Sequence, residues 1–381
     1  MSLRAPLYLE GHLFLNKRYN NYAINYKGRL EGIRYEQRRR RRTRGTSRSL
    51  CEVDDALYAA STEAMTMFIC DCHCDTLTEL YKKQIDLYEN KQHIDVKRQL
   101  ELGGMLQFYA MFVPTPEYRY GGGLRYTMLL LDTYLQQMRK LKEQGIDILQ
   151  VRTKEDAADV LNHKCASLLA IEEGGAIDGS LEALRCLYEL GVRAMTLVWS
   201  NRNDIADGVN EEGSGGGLTV FGRKVVAEMN KLGMLVDVSH IAPAGFWDVI
   251  ETSTKPIIAT HSDAKALCAH PRNLDGKQIL AINENDGLIG ITFAGQFLED
   301  DYNNACIESV YKHIDHMLNL MGNDDHLGFG SDFDGISHPP YNIQGVQDYK
   351  PLIEYLATKY SDSTIQKITH QNVLKLLQKV L

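Results

Sequence analysis

The sequence predicts an α/β fold, an eight-stranded (β/α)8 barrel of the TIM type with a metal site at the C-terminal ends of its strands. Three observations carry this. From residue 67 onward, short apolar runs alternate with amphipathic stretches, eight runs in all. Most runs are apolar without interruption, as parallel strands covered on both faces should be. Residues able to ligate a metal or move a proton recur where the runs end. A doubly wound open sheet would show the same alternation and is the alternative.

The strand candidates are Met67–Cys72, Met105–Val113, Ser167–Ile171, Ala194–Val198, Met234–Ser239, Pro256–Thr260, Gly287–Thr292 and His326–Gly330. In the first, period-two alternation puts Asp71, His73 and Asp75 on one face and Cys70, Cys72 and Cys74 on the other. Helices are expected between the strands. Tyr126–Gln144 repeats Leu130, Tyr134, Met138 and Leu141 near the helical period. Ser180–Leu190 stops at Gly191 and Thr219–Leu232 stops before Gly233, both fitting terminators. Ala305–Met321, Asp348–Tyr360 and Ser363–Val380 complete the set. Glu211–Gly217 reads as a glycine-rich loop and not a phosphate cradle, since no strand directly precedes it and no Lys-Ser/Thr follows.

Composition bounds the rest. The chain has 381 residues and a net charge of −8, which disfavours nucleic-acid binding. Residues 1–49 hold 13 Lys+Arg against 3 Asp+Glu, including Arg38–Arg42. Residues 1–65 are therefore expected to be a basic, disordered extension or a non-native start, and residues 66–381 the barrel domain. No secretory leader or run of 18 apolar residues is visible, so a cytoplasmic protein without a membrane span is expected. The eight cysteines form no CxxC and read as reduced; Cys70, Cys72 and Cys74 could form a thiolate metal site but read as small buried apolar residues on the helix-facing side of the first strand.

The expected strand ends carry His73 and Asp75, then Glu172-Glu173, Trp199-Ser200, Asp237 to His240, His261 to Asp263, and Asp332 to Asp334. Taken singly, each is an ordinary hydrogen-bonded residue, cap or turn. Together, three histidines and several carboxylates suit a hard-to-borderline cation such as Zn2+. Two ions about 3.5–4 Å apart need a bridging carboxylate, and Glu172 lies between the strand-1 ligands and the later histidines.

The segments Asp71-Cys72-His73-Cys74-Asp75, Ile171-Glu172-Glu173-Gly174-Gly175, Leu187–Arg193, Leu235–His240, Thr260-His261-Ser262, Pro271-Arg272-Asn273 and Gly328–Gly335 resemble, in order and spacing, the membrane (renal) dipeptidase family of zinc metallopeptidases and its bacterial members. The resemblance spans about residues 67–380. It implies the same barrel and two Zn2+ ions, one on His73 and Asp75, the other on His240 and His261. Glu172 would bridge them, with Glu173 the alternative; the ungapped spacing to Leu181 favours Glu172. Asp332 would be the catalytic acid/base, and Arg272 would receive the substrate carboxylate.

Two positions depart from the family pattern. Trp199 stands where animal members have a histidine that helps polarise the scissile carbonyl. An aromatic of the substrate pocket is Phe293 or Phe297, without a tyrosine hydroxyl. The implied reaction is hydrolysis of dipeptides, those with a C-terminal D-residue included, and relatives are commonly homodimers. Two rival readings are another barrel amidohydrolase of lactonase or deaminase type, which usually shows His-x-His on strand 1, and a non-catalytic metal-binding relative.

Overall fold

The computed structural model describes residues 67–118 and 121–381. The basic extension expected over residues 1–65 lies outside them. The strands are β1 Ile69–Cys74, β2 Met105–Phe112, β3 Ile148–Gln150, β4 Cys165–Glu172, β5 Val192–Thr196, β6 Leu235–Asp237, β7 Ile258–Ala259, β8 Leu288–Ile291 and β9 Leu327–Phe329. Neighbours pair in parallel in the order β2-β1-β9-β8-β7-β6-β5-β4. β2 also pairs with β4 from Met105↔Cys165 to Phe112↔Glu172, which closes eight strands into a barrel. The open sheet is thereby excluded.

All eight expected strands are present, their ends displaced by no more than two residues. β3 is additional. It pairs with Cys165–Ser167 at the start of β4, and β5 takes over that edge from Leu169. Its three residues are only half-buried, so it lacks the continuous apolar run that marks the others.

The long helices form where the period predicts, and their ends have local causes. Leu181–Glu189 starts where Ser180 Oγ accepts from Ala183 N at 3.1 Å. Val220–Leu232 starts at Thr219, whose hydroxyl accepts from Gly222 N, and stops at Gly233 with φ 79°. That left-handed value favours glycine. The expected helix Ser363–Val380 is instead two helices, Asp362–Gln366 and Asn372–Val380, joined by a π-helical turn over Lys367–Gln371. Short helices that the sequence reading passed over include Thr76–Lys83, Lys154–Asp159, Pro243–Thr252 and Gly276–Glu284.

Two cores result. Outward strand residues such as Ile69, Tyr109, Leu169 and Met195 pack under the helices. Inward residues, among them Leu106, Phe108, Leu168, Leu235 and Leu288, fill the barrel and meet Val373, Leu377 and Val380 of the last helix. That helix contacts β1, β8 and β9 and the helix Lys154–Asp159. It closes the N-terminal end of the barrel, and each such buried aliphatic contributes about 2 kcal/mol.

The expected facing of β1 is corrected by a bulge. Against β2 the register runs Asp71↔Gln107 and then Cys74↔Tyr109, so Cys72 and His73 together oppose Phe108. Cys70 and Cys72 therefore point into the barrel, and the extra residue keeps His73 inward too, while Cys74 packs with the outer core. Asp71 faces away. Its carboxylate accepts from Ser331 N (2.9 Å), Ser331 Oγ (2.6 Å) and Tyr349 OH (2.9 Å), which ties β1 to the loop after β9. Strict alternation misplaces Cys70 and Cys72 as helix-facing because it has no term for a bulge.

Candidate metal centre

Five strand ends converge at the C-terminal mouth of the barrel. They bring together His73 and Asp75 (β1), Glu172 (β4), His240 (after β6), His261 (after β7) and Asp332 (after β9), all buried or nearly so. Glu172 stands in the middle. Its Oε2 lies 3.3 Å from His73 Nε2, and its Oε1 lies 2.9 Å from His240 Nε2 and 3.8 Å from His261 Nε2. Around His73 Nε2, Asp75 Oδ2 and Asp332 Oδ1 each lie at 3.8 Å.

Glu173, the alternative bridge, points elsewhere. Its carboxylate accepts from Thr115 Oγ1, Gly175 N, Trp199 N and the Asn203 side-chain amide. Those bonds tie together the loops after β2, β4 and β5.

The histidines are oriented from behind. Asp237 Oδ2 accepts from Thr260 Oγ1 at 2.6 Å, which uses the only hydrogen of that hydroxyl. Thr260 Oγ1 must then accept from Nδ1–H of His261, 2.9 Å away, leaving His261 Nε2 bare. Ser200 Oγ lies 2.9 Å from His240 Nδ1 and can fix the same tautomer there. The two Nε2 atoms are 2.8 Å apart. With both Nδ1 atoms protonated, their lone pairs converge on one place.

Asp237 also accepts from Thr196 Oγ1, Ser239 N and Thr260 N, and so laces the ends of β5, β6 and β7 together. Ser200 and Asp237 stand at expected strand ends without a role legible in the sequence, and Thr260 is marked only as the neighbour of His261.

The electrostatics call for a cation. Burial pushes Glu172 up to about 8, with the charge of Asp75 adding to it. Burial also pushes Asp332 up to about 7. Burial works against a charge on His73, but Glu172 and Asp75 together outweigh it and hold the imidazole well above its usual range. Burial and the nearby Arg272 hold His240 well below that range; burial, His73 and Arg272 do the same for His261. His73 Nε2 and Asp75 Oδ1 are buried with no hydrogen-bond partner among the described residues.

Buried polar atoms without partners are costly unless something else satisfies them. Ligand atoms on one tetrahedral zinc sit about 2.1 Å from it, hence about 3.4 Å from one another. The contacts of 2.8 to 3.8 Å around Glu172 bracket that spacing. These residues fit a metal centre, with Glu172 in its middle.

Gly335 makes room for it. A Cβ there would lie 2.0 Å from Asp75 Oδ2 and 2.6 Å from Asp332 Oδ1. This explains the glycine of Asp332-Phe333-Asp334-Gly335 without invoking a turn.

Arg272 is buried beside the centre. One Nη donates to His261 O at 2.9 Å, the guanidinium lies 5.4 Å from the ring centroid of Phe297, and Nε has no partner among the described residues. Of the two aromatic candidates, Phe297 is therefore the one at Arg272. Phe293 packs among Phe329, Phe333 and Tyr349. Trp199 lies edge-on to Phe112 at 4.9 Å and 6.2 Å from the ring of His240.

Two cavities flank the centre. One of about 130 Å³ is walled in part by His240 and Arg272. The larger, about 500 Å³, is lined by Glu173 but by none of His73, Asp75, Glu172, His240 and His261.

Comparison with known proteins agrees with this geometry. The profile of the family described as membrane dipeptidase (peptidase family M19) matches residues 60–381. An uncharacterized dipeptidase of Schizosaccharomyces pombe is 33% identical over 289 residues, 73% of this chain and 70% of that protein. The crystal structure of the M19 metallopeptidase named dipeptidase AC superposes with a TM-score of 0.75 at 30% identity, covering 83% of this chain and 99% of the other. A metallopeptidase from Rhodobacter sphaeroides, solved with a phosphinate mimic of the dipeptide L-Ala-D-Ala, gives 0.74 at 28% identity over 83% and 99%. With a family match that runs from before β1 to the end of the last helix, this chain belongs to the membrane dipeptidase family, peptidase family M19.

Proposed function

We propose that the centre holds two zinc ions, His73 and Asp75 on one, His240 and His261 on the other and Glu172 between them, and that it acts on dipeptides with either an L- or a D-residue at the C-terminus. Metal-dependent hydrolysis of dipeptides follows from the family. The observation that carries the two-ion reading is Glu172, whose two oxygens face separate histidine sets around the orphaned His73 Nε2. The dipeptide mimic bound by the Rhodobacter sphaeroides relative supports acceptance of a D-residue.

When bound, the ions supply a water of lowered pKa and polarise the scissile carbonyl. The chain's own residues do the rest. Arg272 offers a planar fork for the substrate carboxylate, held in place by His261 O and by the face of Phe297. Anchoring that carboxylate beside the centre allows one residue on each side of the scissile bond and so restricts the enzyme to short substrates. Asp332, held near neutrality by burial, takes the proton from the attacking water and delivers it to the leaving nitrogen. Trp199 can donate one hydrogen bond but cannot titrate, so it serves as a wall beside His240 and not as a proton carrier.

Turnover of L-L, L-D and Gly-containing dipeptides, with zinc added and with a chelator, tests this. Zinc-dependent cleavage of dipeptides but not tripeptides is expected. Protein shown to hold two metals that cleaves none of them sinks the proposal.

A further inference from the structure

The smaller cavity has a polar lining that the reaction accounts for only at His240 and Arg272. It measures about 130 Å³ and is walled by His240 after β6, by Ser262, Lys265, Arg272 and Asn273 after β7, and by Glu212 of the loop that follows β5. Three of these side chains carry buried atoms with no hydrogen-bond partner among the described residues: Ser262 Oγ, Arg272 Nε and Asn273 Oδ1. They are 1%, 5% and 3% exposed. Lys265 makes no ion pair among the described residues. Of the two carboxylates in the lining, Asp275 accepts from Lys277 N and Gln278 N as the cap of the helix Gly276–Glu284, and Glu212 is exposed. With Arg272 given to the substrate carboxylate, Ser262 Oγ, which can donate, and Asn273 Oδ1, which can only accept, mark a place beside the reaction centre that something polar is built to fill.

We infer that this cavity is the subsite for the side chain of the dipeptide's second residue, and that Ser262 and Lys265 select a short acidic side chain there. The inference rests on the dipeptidase reading, in which Arg272 holds the α-carboxylate at the cavity wall. A substituent on the adjoining Cα then enters the cavity. An aspartate side chain brings acceptors to the Ser262 hydroxyl and the Lys265 ammonium. Leucine would leave Ser262 Oγ buried and unpaired, and a lysine side chain would face the ammonium of Lys265. A site that must hydrogen-bond its ligand discriminates chiefly by what the wrong ligand leaves unpaired.

The test compares kcat/KM for Ala-Asp, Ala-Leu and Ala-Lys, each with an L- or D-residue second, in the zinc-loaded enzyme and its variants. Expected is a preference for Asp over Leu, in whichever enantiomer series is the faster. Lys265→Met should lower that ratio by about fivefold, and Ser262→Ala by about threefold to tenfold. Glu212→Gln should raise it, and Lys142→Met on a remote helix serves as the charge control. An Asp:Leu ratio near one, or a ratio unchanged in both Lys265→Met and Ser262→Ala, overturns the subsite while leaving the dipeptidase standing. Cleavage of none of the dipeptides removes the dipeptidase reading and the subsite together.

Discussion

Replacing Glu172 with Gln should move stability in opposite directions with and without metal. In the metal-free protein, burial and Asp75 push the Glu172 carboxyl from 4.5 up to about 8. A folded-state pKa raised above the unfolded value favours folding fully below the unfolded value. That advantage is lost as pH rises towards the folded one. Between pH 4.5 and 7 the unfolded chain ionises this group and the folded chain resists. At about 1.4 kcal/mol per pH unit this costs the metal-free fold about 3 kcal/mol at neutral pH. Gln keeps the shape and removes the charge, so metal-free Glu172→Gln should be more stable than the metal-free parent at pH 7 and indistinguishable from it near pH 4.

With zinc present the order should invert. Gln has one ligating oxygen where the carboxylate faces His73 with one and His240 with the other. Loss of even an outer-shell partner weakens metal binding by about 10- to 100-fold, so loss of a shared ligand should cost at least about 100-fold at one ion. The assay is thermal unfolding of both proteins at pH 4, 5.5 and 7, after chelation and after zinc loading, with metal content per chain determined in parallel. A variant that binds two zinc ions, turns over normally and unfolds like the parent throughout would refute the bridging role and the electrostatic argument behind it.

Three further outcomes are expected. Asp332→Asn should lower kcat by roughly 10²- to 10⁴-fold with metal content unchanged, which steady-state kinetics and metal analysis would show; a drop in metal content instead would make Asp332 a ligand and not an acid/base. Arg272→Met should lower kcat/KM for dipeptides by about 100-fold, about 3 kcal/mol as for a buried charge-assisted hydrogen bond, and should abolish discrimination against dipeptide amides. His313 tests the packing behind the loop after β7: Ala264 N donates to its Nδ1 and its Nε2 faces Leu298 O, both at 3.0 Å, and burial pushes it down to about 4. A depressed imidazole adds stability that is present above about pH 6.5 and lost as pH falls towards 4; the parent should therefore lose about 3 kcal/mol relative to His313→Gln over that interval, and parallel unfolding curves would exclude the effect.

The barrel was legible because its eight strands are continuous apolar runs, a signal that survives errors of two residues at each end. The convergence of the site was legible because barrels put chemistry at strand ends, so His73, Asp75, Glu172, His240, His261 and Asp332 could be placed at one mouth without knowing any distance. What stayed hidden depends on pairing. The bulge opposite Phe108 shows only in the register between β1 and β2, yet it decides that His73 and Cys72 point the same way. β3 is half-buried and three residues long, below any periodic signal. Ser200, Thr260 and Asp237 are residue types that cap, turn and bridge everywhere, and their part in orienting His240 and His261 is visible only as hydrogen bonds. The π-helical turn over Lys367–Gln371 is equally silent, since its one apolar residue, Ile368, carries no period.

The closure of the barrel has a consequence for how the protein folds. β1 meets β9 through Asp71 and Ser331, 260 residues apart along the chain, and the helix Asn372–Val380 covers Cys70 and Cys72 of β1. Such non-local contacts cost chain entropy before they return any stability, so they form late and slowly. His73 and Asp75 on one side and Asp332 on the other are neighbours only after that seam has zipped. The complete catalytic set is thus a property of the closed ring, and recovery of activity during refolding should lag the recovery of helical signal. Until then the inward faces of β1 and β9 are open edges, which makes the seam between them the place where refolding competes with aggregation.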